Sequence, residues 1–181
     1  QLVKTMNPLT KKFEGTRIIL GTASPRREEL FRQLGLTFEI IKKDFDETYP
    51  EQFRREDISM FLARKKALAY KSDVADGGIV ITSDTIVAVD ELILGKPTDI
   101  KDAERMLRLL SGRKHSVVTG VCIMSSKKSE SFFVKTDVSF KTLKDNEIEY
   151  YLQNFSPLDK AGAYGIQDWI GMIGVEYILG S

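Results

Sequence analysis

Residues 79–89 read IVITSDTIVAV, the most strand-prone run in the chain, with one aspartate at its centre. β-Branched side chains suit a pleated, half-buried surface. Gly77-Gly78 interrupts the chain before the run and Asp90-Glu91 turns it afterwards, so it reads as a strand. Strand alternation puts Thr82, Asp84 and Ile86 on one face and Ser83, Thr85 and Val87 on the other. A carboxylate inside such a strand is costly unless it has a partner. A metal ion, a cation or a catalytic task would supply one, and the plainer alternative is a strand-end aspartate that caps a loop.

The segments around this strand set the fold class. Arg17-Ile18-Ile19-Leu20 is a short apolar run that stops at Gly21 and reads as a buried strand. Thr22-Ala23-Ser24 turns the chain, and Pro25 suits the first position of a helix capped by Ser24. Leu30, Phe31 and Leu34 follow at helical spacing, and Gly35 ends the helix. Thr37 to Ile41 reads as a second strand, and Lys42 to Pro50 as an acidic loop with Asp44, Asp46 and Glu47. Asp57 to Tyr70 carries a long helical period. After the central strand, Leu92-Ile93-Leu94 leads into Gly95-Lys96-Pro97, and Asp99 can cap a helix that runs to Leu110. Lys114 to Met124 and Ser131 to Lys141 read as a hairpin, and Asp145 to Asn154 as a helix. The remainder, from Pro157, is rich in glycine. Strands and helices alternate first and a hairpin then interrupts, which predicts an α/β fold on a mixed sheet. Residues 1–16 read as an N-terminal extension and residues 17–181 as a single domain.

Composition removes several function classes. Lys and Arg number 27 and Asp and Glu 26, so the net charge of +1 argues against a strongly basic nucleic-acid coat. The one cysteine, Cys122, cannot close an internal disulfide or a cysteine-based zinc site. The one histidine, His115, removes most His-rich metal sites and reads as structural. No stretch approaches the roughly 18 apolar residues of a membrane span. Gln1 to Phe13 lacks the apolar core of a secretory signal, and the expected location is cytoplasmic.

Four places then hold candidate chemistry. Ser24-Pro25-Arg26-Arg27 follows a strand and opens a helix, whose N-terminal N–H groups and dipole favour anions. Two arginines in a first turn oppose that dipole, so a phosphate or carboxylate ligand would explain them. The alternative is that Arg27 pairs with Glu28 and Glu29 on a solvated face. Asp84 is the second place. Gly95-Lys96-Pro97 is the third, where a plain turn competes with a cation held at close backbone approach. Lys65 and Lys66 on the long helix are similar, one of them able to face inward. The fourth is Lys160-Ala-Gly-Ala-Tyr-Gly-Ile-Gln167, in which Gln167 can donate and accept and so suits the edge of a nucleobase. A glycine-rich turn around a buried tyrosine is the alternative. Basic groups for phosphates, Asp84 and Glu47 for a divalent metal, and Gln167 for a base together equip a metal-assisted hydrolysis of a nucleotide.

Ser24-Pro-Arg-Arg27, Ala63-Arg-Lys-Lys-Ala67, Ser83-Asp-Thr-Ile-Val87, Gly95-Lys-Pro97, Ser111-Gly112 with His115 and Val118-Thr-Gly120, and Asp159 to Gln167 stand in a characteristic order. From Ile18 to Ser181 the chain closely resembles the Maf family of nucleoside triphosphate pyrophosphatases, a name linked with septum formation. The resemblance implies a Maf/inosine-triphosphatase-like fold, an elongated mixed β-sheet flanked by helices, in two lobes with a central cleft. It implies hydrolysis of a nucleoside triphosphate to the monophosphate and pyrophosphate with Mg²⁺ or Mn²⁺. Under it Asp84 is the proton acceptor, and Asp84 and Glu47 are metal contacts. Arg26, Thr85 and Gln167 would sort substrates, and Ser24, Arg27, Lys66 and Lys96 would hold phosphate. The Asp84-Thr85 pair and the KAGAYGIQ run look like the subgroup acting on dTTP and UTP, with modified pyrimidine triphosphates as further candidates. The expected partner is a nucleoside triphosphate, with no nucleic acid or membrane and with a homodimer in view. Family members continue past Gly180-Ser181, so a C-terminal segment is expected to be missing. The alternative function is a nucleotide-binding regulator of septum formation and cell division without significant turnover.

Overall fold

The computed structural model describes residues 7–180. Residues 1–6 of the expected extension, and Ser181, lie outside the described residues. In chain order the elements are α1 (Pro8–Lys12), β1 (Ile18–Gly21), α2 (Pro25–Gln33), β2 (Glu39–Ile40), α3 (Arg55–Leu68), β3 (Ile79–Val89) and β4 (Leu92–Leu94). Then follow α4 (Ile100–Leu110), β5 (Lys114–Ser125), β6 (Ser129–Phe140), α5 (Asp145–Asn154), α6 (Trp169–Gly174) and β7 (Val175–Leu179), with a short 3₁₀ turn at Ala161–Ala163. The strands form one mixed sheet in the order β2-β1-β3-β5-β6-β7, with β4 paired to β3. β1 runs parallel to both β2 and β3, whereas β3–β4 and β6–β7 are antiparallel. The mixed α/β architecture expected from the sequence is the one found.

Burial along β3 follows the predicted alternation as far as Ile86, with Val80, Thr82, Asp84 and Ile86 buried. Beyond it Val87, Ala88 and Val89 are buried in succession, so this end of the strand is covered on both faces. The chain divides into two compact units, and the division crosses β3 between Ser83 and Asp84. The first unit contains residues 1–49, 60–83 and 121–132. Its core is Ile19, Ala63, Ala67, Tyr70, Val74, Val80, Cys122 and Met124. A Cβ added at Gly21 would meet Tyr70 at 2.8 Å and Thr82 at 2.9 Å, so only glycine lets that tyrosine close over β1. The second unit contains residues 50–59, 84–120 and 133–181. Here α4 presents Ala103, Met106, Leu107 and Leu110, capped as expected by Asp99, whose carboxylate accepts from the Asp102 N–H at 2.8 Å. Around them pack Val87, Val89, Val138, Phe140, Ile148, Tyr151, Tyr164 and Ile170.

Leu30, Phe31 and Leu34 stand on α2 at the expected helical spacing, and that helix buries no residue. Only Phe31 finds a partner ring, edge-on to Phe38 with centroids 5.2 Å apart. The second strand is two residues long rather than five. The glycine-rich remainder also holds two regular elements, α6 and β7. No helix among the described residues is long and apolar enough to cross a membrane.

Candidate functional site

In the first unit the chain leaves β1 at Gly21 and enters α2 at Pro25, with Ser24 in the N-cap position. The expected side-chain cap is not formed. The Ser24 backbone N–H donates instead to Thr22 Oγ1 at 3.1 Å. The Ser24 side chain therefore does not cap the first turn of α2. Arg27 Nη1 donates to the Ser83 carbonyl at 2.7 Å, which fixes its guanidinium against β3 one residue before Asp84. Glu28 is taken by Arg32 one helical turn on, and Glu29 by Gln33 at 3.3 Å.

On α3 both lysines reach the acidic loop. Lys65 Nζ lies 3.0 Å from Asp46 Oδ2, and Lys66 Nζ lies 3.0 Å from Glu47 Oε1. Lys66 is the inward one, only 9% exposed, and its ammonium stands 5.9 Å from the Phe45 ring centroid. Thr48, through its hydroxyl, and then Lys65 hold the Asp46 carboxyl down to about 2. Glu47, expected as a metal contact, and Lys66, expected as a phosphate contact, are thus brought together as an ion pair.

In the second unit Asp84 stands on the buried face of β3, 8% exposed. Thr85, on the other face, shares a hydrogen bond with Thr119 through their hydroxyls at 2.9 Å. Lys96 is exposed on the turn after β4. That turn is joined to the KAGAYGIQ segment, because the Gly162 N–H donates to the Gly95 carbonyl at 3.0 Å. Gly162 has φ +69°, and a Cβ there would lie 2.9 Å from Val87 Cγ2. The segment therefore lies directly on β3, three residues beyond Asp84.

The rest of this segment is pinned at both ends. Tyr164 is buried, and its hydroxyl is 2.6 Å from His115 Nε2. His115 is also buried, its Nδ1 finds no hydrogen-bond partner, and burial pushes the imidazole down to about 4. It is neutral at pH 7, as a structural histidine should be. Four residues after Tyr164, Asp168 Oδ2 accepts from the Tyr151 hydroxyl at 2.8 Å. Burial, and then the Asp168 carboxylate, push the Tyr151 phenol up, so it donates throughout the physiological range. Gln167 is exposed between these two anchors. Thr119, Tyr151 and Asp168 did not stand out in the sequence. Their roles come from partners remote along the chain, and only the Ile148–Tyr151 helical spacing offered a local sign that Tyr151 is buried.

Among the described residues no three His, Cys, Asp or Glu side chains gather as a metal-holding group. Mg²⁺ and Mn²⁺ are hard ions that one or two carboxylates can hold together with phosphate oxygens. Asp84 and Glu47 are the carboxylates that the sequence offers for such an ion.

Relatives bear on what this arrangement serves. The family described as Maf-like protein matches residues 17–181. A dTTP/UTP pyrophosphatase of Flavobacterium psychrophilum is 46% identical over 173 residues, covering 96% of this chain and 89% of that protein. One from Porphyromonas gingivalis is 48% identical over 168 residues, covering 91% of this chain and 84% of that protein. Among solved structures, the Staphylococcus aureus Ham1 protein shares the fold with a TM-score of 0.51 and 17% identity, over 87% of this chain and 91% of that one. With the family matched from residue 17 onward and relatives near half identity over most of its length, this chain belongs to the Maf family.

Proposed function

We propose that the chain is a nucleoside triphosphate pyrophosphatase that converts dTTP and UTP to the monophosphate and pyrophosphate. The observation that carries this reading is the near-half identity, across most of the chain, to relatives named for that reaction. The buried carboxylate of Asp84, on a strand that also receives an arginine and a glycine-rich segment, supports it. The cytoplasm, which holds the nucleotide pool, is the proposed place of action.

In the reaction, water attacks the α-phosphorus, the bond from that phosphorus to the bridging oxygen breaks, and pyrophosphate leaves. Asp84 takes the proton of the attacking water at a carboxylate oxygen. Ser24, Arg27, Lys66 and Lys96 bind phosphate oxygens and offset the charge that builds on the leaving pyrophosphate. Glu47, which pairs with Lys66 at 3.0 Å, and Asp84 are the carboxylates that would hold a divalent metal. A divalent metal bound there would supply charge neutralisation and Lewis acidity. Arg26, Thr85 and Gln167 sort the nucleoside.

The test is pyrophosphate release from a panel of ordinary and modified triphosphates, each with Mg²⁺, Mn²⁺ or chelator. dTTP and UTP should lead, with activity lost in chelator. Release of single phosphates, or binding without turnover, would overturn the reading.

A further inference from the structure

α2 carries Arg26 and Arg27 in its first turn and yet buries no residue. A helix without a buried face has little packing to fix its direction, so its hold must come from its ends. At its start Arg27 Nη1 donates to the Ser83 carbonyl at 2.7 Å. At its other end the last carbonyls have no partner within the helix. α1 supplies partners there. Asn7 Nδ2 donates to the Leu34 carbonyl at 2.7 Å, and Thr10 Oγ1 donates to the Gly35 carbonyl at 3.0 Å. The Phe31–Phe38 ring contact lies near the same end. All of these residues belong to the first unit.

The Asn7 amide is engaged through both of its polar atoms. Its Oδ1 accepts from the Leu9 N–H at 2.9 Å, which caps α1, while its Nδ2 faces the Leu34 carbonyl. Turned over, it would set an amino group against an N–H and an oxygen against a carbonyl. Gly35 has φ +70°, and a Cβ there would lie 2.6 Å from Asn7 Nδ2, so the asparagine sits directly on the chain that leaves α2. α1 precedes residue 17, where the match to the Maf family begins, so this hold lies outside the matched segment.

A helix tied at its start alone can turn about that tie, and Arg26 and Arg27 turn with it. Tied at both ends, it keeps one direction. Attraction between charges tolerates such a turn, because it falls only as the inverse of distance. The placing of the α-phosphorus for attack does not, since a misplacement of about 1 Å can cost about 10²-fold in rate.

We propose that α1 is an end clamp on α2, and that Asn7 and Thr10 are positioning residues whose hydrogen bonds fix the direction of the helix that presents Arg26 and Arg27 to the substrate. This rests on the proposed role of Arg27 in holding phosphate.

The test is kcat and KM for UTP, calorimetric titration with pyrophosphate, and hydrogen exchange of the α2 amides. It compares the unaltered chain with Asn7→Asp, Thr10→Val, these two combined, Thr10→Ser and Arg27→Gln. Asn7→Asp keeps the acceptor that caps α1 and removes only the donor to Leu34. Thr10→Val keeps the branched shape and removes the hydroxyl, which Thr10→Ser retains. The combined variant should lower kcat about tenfold, leave KM and pyrophosphate affinity within about threefold, and speed exchange in α2. Each single variant should show part of that loss, and Thr10→Ser almost none. Thr10 is exposed and Asn7 partly so, and the melting temperatures should move little. An unchanged kcat in the combined variant would overturn the proposal, even with faster exchange, because α1 would then serve stability alone. Equal losses in Thr10→Ser and Thr10→Val would also overturn it, since the loss would not follow the hydroxyl. If Arg27→Gln weakens pyrophosphate binding and the α1 variants change nothing, the clamp fails while the reading of Arg27 stands. If Arg27→Gln leaves pyrophosphate binding unchanged, the reading of Arg27 itself fails.

Discussion

The start of α2 and the segment from Lys160 to Asp168 are built in opposite ways. α2 buries no residue, and its cap serine makes no side-chain cap. The Lys160–Asp168 segment has Gly162, Ala163 and Tyr164 buried, its backbone tied to Gly95, and side-chain hydrogen bonds to His115 and Tyr151. Under the proposed function the first supplies Ser24 and Arg27 to phosphates and Arg26 to the nucleoside, and the second supplies Gln167 to the base. Attraction between charges falls only as the inverse of distance, so long cationic side chains on a loosely packed helix still find a triphosphate. A hydrogen bond weakens steeply once its angle or length departs from ideal, so base selection needs a rigid mount.

The largest expected effect falls on β3, a strand that contributes residues to both units. Asp84→Asn should lower kcat for UTP by about 10³, within the range of lost general-base catalysis, and leave nucleotide affinity within a few-fold. Pyrophosphate release and calorimetric titration measure the two. A matching loss of affinity would make Asp84 a binding group and blur the division of labour. Near-normal turnover would remove it from the chemistry.

The pinned region should also respond to acid. The imidazole of His115 is held down to about 4 from an ordinary value near 6.5, so the unfolded chain takes up that proton first. The stability it contributes is complete above pH 6.5 and is lost progressively as pH falls towards 4, a total of about 3 kcal/mol. Asp46 and Asp137 are held down to about 2, so their losses begin only below the ordinary aspartate range, near pH 4. Urea unfolding across pH 4.5–7 should therefore show a slope of nearly one proton, which His115→Gln flattens. His115 is the only histidine, so its proton signals also report the titration directly. A variant with the same slope would refute the assignment.

The loose region and the pinned one were unequally legible in the sequence. The IVITSDTIVAV pattern gave β3 to the residue, and Asp99 and the 3.6-residue period gave α4, because both signals are local. That α2 buries no residue was not legible, because helical spacing says which side chains align, and not whether anything packs on them. α6 was missed because its six residues include two glycines, a poor helix former, and Gly171 is accepted there for closeness: a Cβ would lie 2.2 Å from the Ile166 carbonyl oxygen. The candidate site residues were named from the sequence by chemical type. The Glu47–Lys66 pair and the Tyr151–Asp168 bond were not, because they join residues 19 and 17 positions apart through tertiary packing.

Two glycines sharpen the comparison within the pinned region. Gly162→Ala adds a Cβ 2.9 Å from Val87 at φ +69°, and should cost about 1–3 kcal/mol. Gly95→Ala meets nothing within 4 Å and should stay within about 0.5 kcal/mol. Thermal and urea unfolding compare them. Equal costs would mean that the segment is not seated on β3 as tightly as Gly162 indicates.

The smallest effect tests the loose side of the comparison. Leu30 and Leu34 are 54% and 43% exposed, so Leu30→Ser and Leu34→Ser remove little buried apolar surface. Each should shift unfolding by no more than about 0.5 kcal/mol and leave kcat/KM for UTP unchanged. A loss of several times that size would mean the α2 stripe is covered in solution, and the helix would then be as firmly mounted as the segment it has been contrasted with. A loss of activity without a loss of stability would instead mean that the loose packing of α2 is itself tuned to the phosphate site, since neither leucine carries a group that could touch phosphate.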